Sequence, residues 1–396
     1  MNILFLTQTF YLGGVSMVTI KLANEFTKRG HNATIVTFYD EPGSSSKKYL
    51  SENVKCYMLK GLECSKENIV ALNGILVENN PQIIINQWGL NPVILRTAQK
   101  ASRNMKIKFI SVYHSMPNMN GRLQEIDTRL LQCSNFFKSI ILTVQRWFVK
   151  EITSASMRRN YYNSDLFIVL SKSFIPIFEE FTHIKNAKKL SFITNPLTRD
   201  NEGYKLLRNN KLREIIFVGR LDNTSKKINR ILDVWGIVFK QYPEWNLSII
   251  GEGPDKFILS EIIKQKGLKN ISLKGALDPQ AYYERASILI LTSEFEGFPL
   301  TIPEAMSFGV VPIVYGSFSS VYDIISNNSN GIVIPYNKKG FNPDEMALEL
   351  SKLMENENKR WDMAQKAYSA SKNYTIDKIY QKWLSCFNNL IDSKVN

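Results

Sequence analysis

Short apolar runs recur along the chain between stretches with a helical pattern of apolar and polar residues. They lie at residues 3–6, 33–38, 83–85, 109–112, 166–170, 215–218, 247–250, 288–291 and 310–314. Runs without polar alternation are typical of parallel strands that are covered on both faces. The pattern therefore predicts two successive βα series, each folded as a doubly wound parallel sheet.

The division between the two series is expected where apolar periodicity stops, at residues 195–211. We place a first Rossmann-like domain at residues 1–200 and a second at 201–374, followed by a helix at 375–396 that could cross back onto the first. In doubly wound sheets, ligands bind outside the carboxyl ends of the strands. With two facing sheets, the natural site is the cleft between them.

Composition narrows the class of protein. A length of 396 residues fits two domains. The chain has 44% hydrophobic and 22% charged residues, proportions that are typical of soluble globular proteins. Four cysteines without a CxxC pair and three scattered histidines predict neither a disulfide scaffold nor a metal site. No run of 18 apolar residues occurs, and the first residues suit a buried strand better than a signal peptide. A cytoplasmic protein is expected.

Two turns after predicted strands carry residues suited to phosphate. Gly13 and Gly14 follow the first strand and permit close approach of a phosphate to a helix N-terminus, although a plain turn explains them equally well. Arg220 ends the strand at 215–218, and Lys226 opens the next helix. Together these cations can neutralise a diphosphate, the work that a metal does elsewhere, and no Asp-x-Asp metal clamp occurs. The alternative is two solvated surface cations.

Two carboxylates follow the strand at 288–291. Glu296 lies in the loop, and Glu304 lies in the first turn of a helix. Both can accept hydrogen bonds from sugar or ribose hydroxyls. The alternative for Glu304 is a capping box with Thr301.

The combined pattern resembles the family 4 glycosyltransferases, which are retaining enzymes of the GT-B fold. It consists of Gly219-Arg220 with Lys226, followed by Glu296-x7-Glu304. Supporting matches are Arg29-Gly30-His31, Gly251-Glu252-Gly253-Pro254, Gly309-x-x-Pro312 and Asn330-Gly331. The match covers the second half of the chain closely and the first half loosely.

The resemblance implies a role for each matching residue. Arg220 and Lys226 would bind the diphosphate of a nucleotide-sugar donor, Glu296 the donor sugar, and Glu304 the ribose. Further donor contacts would come from Gly14 and Val15 in the first domain, from the backbone of Phe298, Leu300 and Thr301, and from His114 near the reacting carbon. Two positions depart from the family pattern: Lys227 replaces a common glycine, and Ser115 replaces a common acidic residue.

The first half of the chain is strongly basic, with a net charge of +11 in residues 1–200 against +3 in residues 201–396. Residues 136–149 can form a helix with an aromatic apolar face and a basic opposite face, which suits a membrane interface. Its expected membrane contacts are Phe137, Lys138, Ile141, Arg146, Trp147 and Lys150, within a long segment at 115–163. The alternative is that this face packs on the first domain. No nucleic-acid module is recognisable.

Taken together, the sequence predicts a metal-independent retaining transferase that needs no cofactor. It would move a hexose or N-acetylhexosamine from a nucleotide sugar, with uridine favoured, to a lipid-linked or polysaccharide acceptor at the inner membrane face. Two alternatives remain at this stage: a nucleotide-sugar 2-epimerase of the same fold, and a non-catalytic nucleotide-sugar or membrane-binding scaffold.

Overall fold

The computed structural model describes residues 1–10, 13–39, 46–131, 133–199, 201 and 203–392. The chain divides into two compact units. Unit 1 contains residues 1–198 and 374–396, and unit 2 contains residues 199–373. Unit 1 is built on a seven-stranded sheet of order β3-β2-β1-β4-β5-β6-β7, and unit 2 on a six-stranded sheet of order β10-β9-β8-β11-β12-β13.

The strands are β1 (Asn2–Thr7), β2 (Asn32–Thr37), β3 (Lys55–Met58), β4 (Ile83–Asn86), β5 (Lys108–Tyr113), β6 (Leu166–Val169), β7 (Leu190–Phe192), β8 (Glu214–Val218), β9 (Asn246–Ile250), β10 (Ile271–Gly275), β11 (Ile288–Leu291), β12 (Val311–Gly316) and β13 (Ile332–Pro335). The helices are α1 (Gly14–Lys28), α2 (Lys66–Asn79), α3 (Pro92–Ala101), α4 (Gly121–Leu131), α5 (Phe136–Tyr162), α6 (Phe174–Thr182), α7 (Ile228–Val238), α8 (Lys256–Gln265), α9 (Gln280–Arg285), α10 (Thr301–Met306), α11 (Ser320–Ile324), α12 (Pro343–Glu355), α13 (Glu357–Ser371) and α14 (Ile376–Asp392).

Every pairing between these strands is parallel, so the prediction of two doubly wound sheets is confirmed. Each predicted apolar run forms a strand of the sheet. The nine apolar runs do not include β3, β7, β10 and β13, which all lie at sheet edges. β3 is mostly exposed and β7 and β10 are largely half-exposed, so these three lack the continuous apolar run that marks a central strand, whereas β13 is buried except for Pro335.

Side chains of the central strands alternate between the two faces of each sheet. In β1, Leu4 and Leu6 pack with the apolar cluster beneath α2 and α3. Phe5, between them, lies 6.3 Å (ring centroids) from Phe26 of α1 on the other face. In unit 2, all residues of β8, β11 and β12 are buried.

The last helix, α14, belongs to unit 1, where it packs on α1. The Phe26 ring lies 5.2 Å from the Tyr380 ring and 5.4 Å from the Phe387 ring, centroid to centroid. The Tyr380 hydroxyl lies 2.9 Å from Nε2 of His31, and Arg29 forms an ion pair with Asp377 at 2.6 Å. The end of the chain therefore completes the apolar layer of the first sheet.

This packing predicts that Phe387→Ala destabilises unit 1 by about 3–5 kcal/mol. Removal of a fully buried aromatic ring leaves a cavity that the neighbouring side chains fill only in part. Urea unfolding measures the loss, and hydrogen exchange locates it in residues 1–198. The exposed neighbour Asn388→Ala is the control and should have little effect. Equal stability of the two variants would contradict the packing role of α14.

Candidate functional site

In the second sheet, the order in which strands are added reverses between β8 and β11. These two strands are neighbours and run parallel. The loops that follow these strands therefore emerge at the same edge of the sheet. They bring together Lys226 and Glu296, which are 70 residues apart in sequence; the ammonium lies 2.5 Å from Oε1 of the carboxylate. The hydroxyl of Ser293 donates to the same oxygen at 2.7 Å. Both members of the ion pair are largely buried, with side chains 20% and 13% exposed.

The loop after β8 is held by direct backbone contact with the loop after β9. The N–H of Gly219 donates to the carbonyl of Ile250 at 3.0 Å, and the N–H of Leu221 donates to that of Glu252 at 2.9 Å. A Cβ atom on Gly251 would lie 1.8 Å from the carbonyl oxygen of Gly219. The glycine in this motif is therefore required because no side chain fits between the two loops.

Asp222 organises the turn that carries Lys226. Its Oδ1 accepts hydrogen bonds from the N–H groups of Thr224 at 3.0 Å and Ser225 at 2.7 Å, and its Oδ2 accepts from the Ser225 hydroxyl at 2.9 Å. Sequence reasoning assigned no role to this residue. An Asp followed two and three residues later by donors is a recognisable Asx-turn signal.

Arg220 and Lys227 occupy different environments. The Arg220 side chain is 70% exposed, and its Nε lies 3.9 Å from Oδ2 of Asp222. Lys227 caps α7 in the left-handed conformation, with φ 52°, and its carbonyl accepts a hydrogen bond from the hydroxyl of Thr292 at 3.0 Å. A glycine adopts this conformation at no cost, whereas a lysine is strained in it. Burial lowers the pKa of its ammonium.

Glu304 lies in the first turn of α10 and is buried. The hydroxyl of Tyr283 donates to its Oε2 at 3.3 Å, and Nε of Arg199 lies 3.9 Å from the same oxygen. Burial raises the pKa of Tyr283 well above its usual value. The N-cap of α10 is Leu300 rather than Thr301, so the capping box considered as an alternative is not the arrangement found. Neither Tyr283 nor Arg199 was predicted from the sequence, because each comes from a separate element and carries no local pattern.

The other predicted donor contacts of this unit surround the start of α10. The side chain of Phe298 is buried, and those of Leu300 and Thr301 are partly exposed. Leu300 and Thr301 precede the first hydrogen bonds of the helix, so their N–H groups point out of its N-terminal end.

In unit 1, the predicted residues lie at the carboxyl ends of β1 and β5. Gly14 and Val15 begin α1 and line a cavity of about 380 Å³ together with Gln8, Tyr39 and Trp88. The cavity lies at the point where the first sheet reverses, since β1 pairs with both β2 and β4. Its position is that of a ligand site in a doubly wound sheet.

His114 follows β5 and is held by a residue that sequence reasoning missed. Its Nε2 lies 2.7 Å from Oε1 of Gln87, which follows the neighbouring strand β4. This contact places the proton on Nε2 and leaves Nδ1, which is buried and has no partner among the described residues, as an acceptor. Burial lowers the pKa of His114 to about 4, so the ring is neutral at pH 7. The hydroxyl of Ser115 donates to the carbonyl of Met119 at 3.4 Å.

Two family models match the chain in succession. Glycosyltransferase Family 4 matches residues 12–198, and Glycosyl transferases group 1 matches residues 198–370. The chain belongs to the family 4 glycosyltransferases of the GT-B fold. Both the family and the fold expected from the sequence are thereby confirmed.

Individual relatives of this glycosyltransferase are distant. A glycosyltransferase of Haemophilus influenzae is 25% identical over 380 residues, 94% of this chain and 95% of that one. The poly(glycerol-phosphate) alpha-glucosyltransferase of Bacillus subtilis is 24% identical over 388 residues; the match covers 94% of this chain and 54% of the relative. Among solved structures, HepE of Anabaena in complex with UDP is 16% identical with a TM-score of 0.74, over 98% of this chain and 100% of that one.

The predicted membrane helix is the first half of α5, which runs on to Tyr162. Its apolar face does not pack on the domain: Phe137 is 77% exposed, Ile141 67% and Trp147 56%. The packing alternative is therefore wrong. We call this surface the α5 face; it comprises Phe136, Phe137, Ile140, Ile141, Val144, Trp147, Phe148 and Ile152.

The three cations predicted beside the α5 face differ in their availability. Lys138 is exposed, and Lys150 is partly exposed. Arg146 forms a two-pronged salt bridge with Asp127 of α4, in which its second nitrogen lies 3.1 Å from Oδ2. That carboxylate raises the pKa of the guanidinium and fixes it within unit 1. Arg146 thus ties α5 to α4.

The described part of the chain contains neither a membrane-spanning helix nor a cluster of metal-binding side chains. None of its helices is long and apolar enough to cross a membrane. It also contains no group of three or more His, Cys, Asp and Glu side chains arranged to hold a metal ion.

The backbone contact between the two loops predicts opposite effects for two glycine substitutions in unit 2. Gly251→Ala should destabilise the unit by about 1–3 kcal/mol or more, because its Cβ meets a carbonyl oxygen that cannot move alone. Gly236→Ala in α7 should stabilise it by about 0.5–1 kcal/mol, because its Cβ meets only a methyl group of Leu268 at an ordinary 3.6 Å. Urea unfolding compares the two. An equally stable Gly251→Ala protein would disprove the tight approach.

Proposed function

We propose that this glycosyltransferase is a metal-independent, retaining enzyme that transfers a hexose or N-acetylhexosamine from a UDP-sugar to a lipid-linked or polysaccharide acceptor of the cell surface. The observation that carries the proposal is the Lys226–Glu296 pair, held at the edge of the second sheet next to the loop that carries the exposed Arg220. The Bacillus relative, a poly(glycerol-phosphate) alpha-glucosyltransferase, supports a cell-surface glycan as acceptor. HepE has been solved with UDP-glucose, which supports the base and the class of sugar.

The cations act on the diphosphate of the donor. An ammonium has three N–H donors, so Lys226 keeps its bond to Glu296 and still donates to a phosphate oxygen. Arg220 has room to turn toward the ligand because it is largely exposed. Charge develops on the diphosphate as it leaves, and fixed cations lower the energy of that state without a metal ion.

The two carboxylates bind hydroxyl groups. Glu296 accepts hydrogen bonds from the sugar, and its orientation is fixed by Lys226 and Ser293. Glu304 accepts from the ribose, and its orientation is fixed by Tyr283. In unit 1, the neutral His114 offers the sugar an uncharged contact, because a protonated ring would repel the cationic charge that builds on the sugar carbon. The acceptor attacks on the face from which the diphosphate departs, which retains the configuration.

Lys226→Ala should lower turnover of the UDP-sugar by about 100-fold or more, since removal of one group that stabilises a developing negative charge costs that much. Lys266→Ala is the matched control: it also breaks one ion pair of unit 2, with Asp233, at an exposed surface. Turnover is measured as UDP release in the presence of EDTA, with and without an acceptor fraction. Normal turnover by Lys226→Ala would refute the diphosphate assignment, and chromatographic appearance of an epimeric UDP-sugar without UDP release or acceptor would identify an epimerase.

A thermal-shift series with UDP, GDP and ADP in EDTA tests the donor base independently of the acceptor. A ligand at about 100 times its dissociation constant adds roughly 2.7 kcal/mol, which raises the unfolding temperature. UDP should raise it in the wild type and in Lys266→Ala, and much less in Lys226→Ala. No response of the wild-type protein to any diphosphate would refute the donor site.

We also propose that the enzyme works on the inner face of the cytoplasmic membrane, bound through the α5 face. The support is an aromatic apolar surface left open on a helix of the basic half of the chain, with Lys138 and Lys150 alongside. Exposed apolar patches of this size mark interaction surfaces, and each cation close to an anionic bilayer adds about 1 kcal/mol. An acceptor with a lipid anchor would be presented at that surface.

The combined change Phe137→Ser, Ile141→Ser and Trp147→Ser should abolish co-sedimentation with phosphatidylglycerol vesicles while leaving the unfolding temperature unchanged, because these side chains are exposed. The control Phe257→Ser with Ile258→Ser removes comparable exposed apolar side chains from α8 and should still bind. Undiminished vesicle binding by the α5 variant would refute this mode of attachment. Loss of a protein dimer at unchanged vesicle binding would show that the face meets a second copy instead.

A further inference from the structure

A second cluster of cations lies at the amino ends of the strands of unit 2, at the edge opposite the Lys226 site. It lines a pocket of about 100 Å³, which we call the basal pocket, formed around Arg208, Lys211, Arg213, Arg360 and Glu357. Arg213 directly precedes β8, and other lining residues precede β11 and β12. The pocket volume is about three times the roughly 30 Å³ that one water molecule occupies in liquid water. A tetrahedral oxyanion therefore fits.

The charges of the basal pocket do not balance. Four cations line it against the single carboxylate of Glu357, which pairs with Arg208 at 2.7 Å. Arg213 reaches only Glu244, at 3.6 Å and in an exposed position where such a pair contributes little. The pocket therefore carries an excess of positive charge.

Arg360 is a buried cation that has Glu357 nearby but no carboxylate within ion-pair distance among the described residues. It is 8% exposed, and one of its terminal nitrogens donates to the carbonyls of Leu353 and Met354 at 2.6 and 3.2 Å. Its guanidinium lies 4.9 Å from the centroid of the Trp245 ring. Among the described residues it forms no ion pair, and burial lowers its pKa. A guanidinium has five N–H groups, so donors remain beyond these two bonds.

Lys211 is half-buried and is likewise held by carbonyl groups, with the carboxylate of Glu284 nearby. Its ammonium donates to the carbonyls of Tyr283 and Glu284, both at 3.0 Å, and no carboxylate of the described chain pairs with it. Burial lowers its pKa to about 7. Buried charges in proteins are normally paired, because desolvation of an isolated charge is costly. Two such cations on one pocket indicate that an anion completes the arrangement.

We propose that the basal pocket binds a phosphate-class oxyanion, with inorganic phosphate as the smallest member that fits. Arg360 supplies buried donors and Lys211 half-buried ones, while Arg208 and Arg213 line the pocket on its exposed side. The site is separate from the donor site and does not depend on the proposed function. It is connected to Glu304 through Tyr283, whose carbonyl accepts from Lys211 and whose hydroxyl donates to Glu304.

The test is a thermal-shift titration of the full chain with inorganic phosphate at pH 7, against sodium chloride of equal ionic strength. Wild-type protein should show a saturable rise in unfolding temperature. Arg208→Ser with Arg213→Ser should weaken the apparent affinity at least tenfold; both side chains are partly exposed, so this variant should fold. Hydrogen exchange should show protection by phosphate in residues 280–286 and 357–361.

A second variant separates this pocket from the donor site, which also attracts phosphate. Arg220→Ala with Lys226→Ala should lose its response to UDP and keep its response to phosphate. The proposal is overturned if phosphate acts no more than sodium chloride on the wild type. It is also overturned if the response persists in Arg208→Ser with Arg213→Ser and disappears in Arg220→Ala with Lys226→Ala, because phosphate would then bind at the donor site alone.

Discussion

The parallel pairing of β8 with β11 is the constraint on which the proposed donor site depends. It places two loops at one edge of the second sheet and so joins Lys226 to Glu296. The close backbone contact between Gly251 and Gly219 then holds the loop that carries Arg220 against the loop after β9. Asp222 holds the turn that follows. Main-chain bonds thus position both cations; Lys226 donates to Glu296 and keeps further N–H groups for a ligand.

The two cation groups of unit 2 differ in how their charge is compensated. At the carboxyl edge, Lys226 has a carboxylate partner and Arg220 is largely exposed, so neither needs a ligand in order to be stable. At the amino edge, Arg360 and Lys211 donate to the last carbonyl groups of α12 and α9, which carry partial negative charge, and neither has a carboxylate within ion-pair distance among the described residues. The first arrangement suits a substrate that comes and goes, and the second suits a resident anion. Tyr283 connects the two edges, because its backbone carbonyl accepts from Lys211 and its hydroxyl donates to Glu304.

Sequence patterns predicted the central strands well because strands covered on both faces need an unbroken apolar run. They missed the edge strands β3, β7, β10 and β13; polar residues are tolerated in the first three because one side of an edge strand has no neighbour. At the site, the family motif identified Lys226, Glu296 and Glu304. It did not reveal Gln87, Tyr283 or Arg199, which hold His114 and Glu304, because such partners come from separate elements and carry no local signal.

The sequence by itself determined the two parallel sheets, the family and the chemical types at the donor site, since these follow from local apolar runs and short spacings. The tertiary structure decided what depends on contacts between distant residues. It left the α5 face exposed rather than packed, paired Arg146 with Asp127, and formed the basal pocket from four separate segments. Exposure and charge balance are properties of neighbours in space, and a helical pattern of apolar residues reads the same whether its face meets protein or solvent.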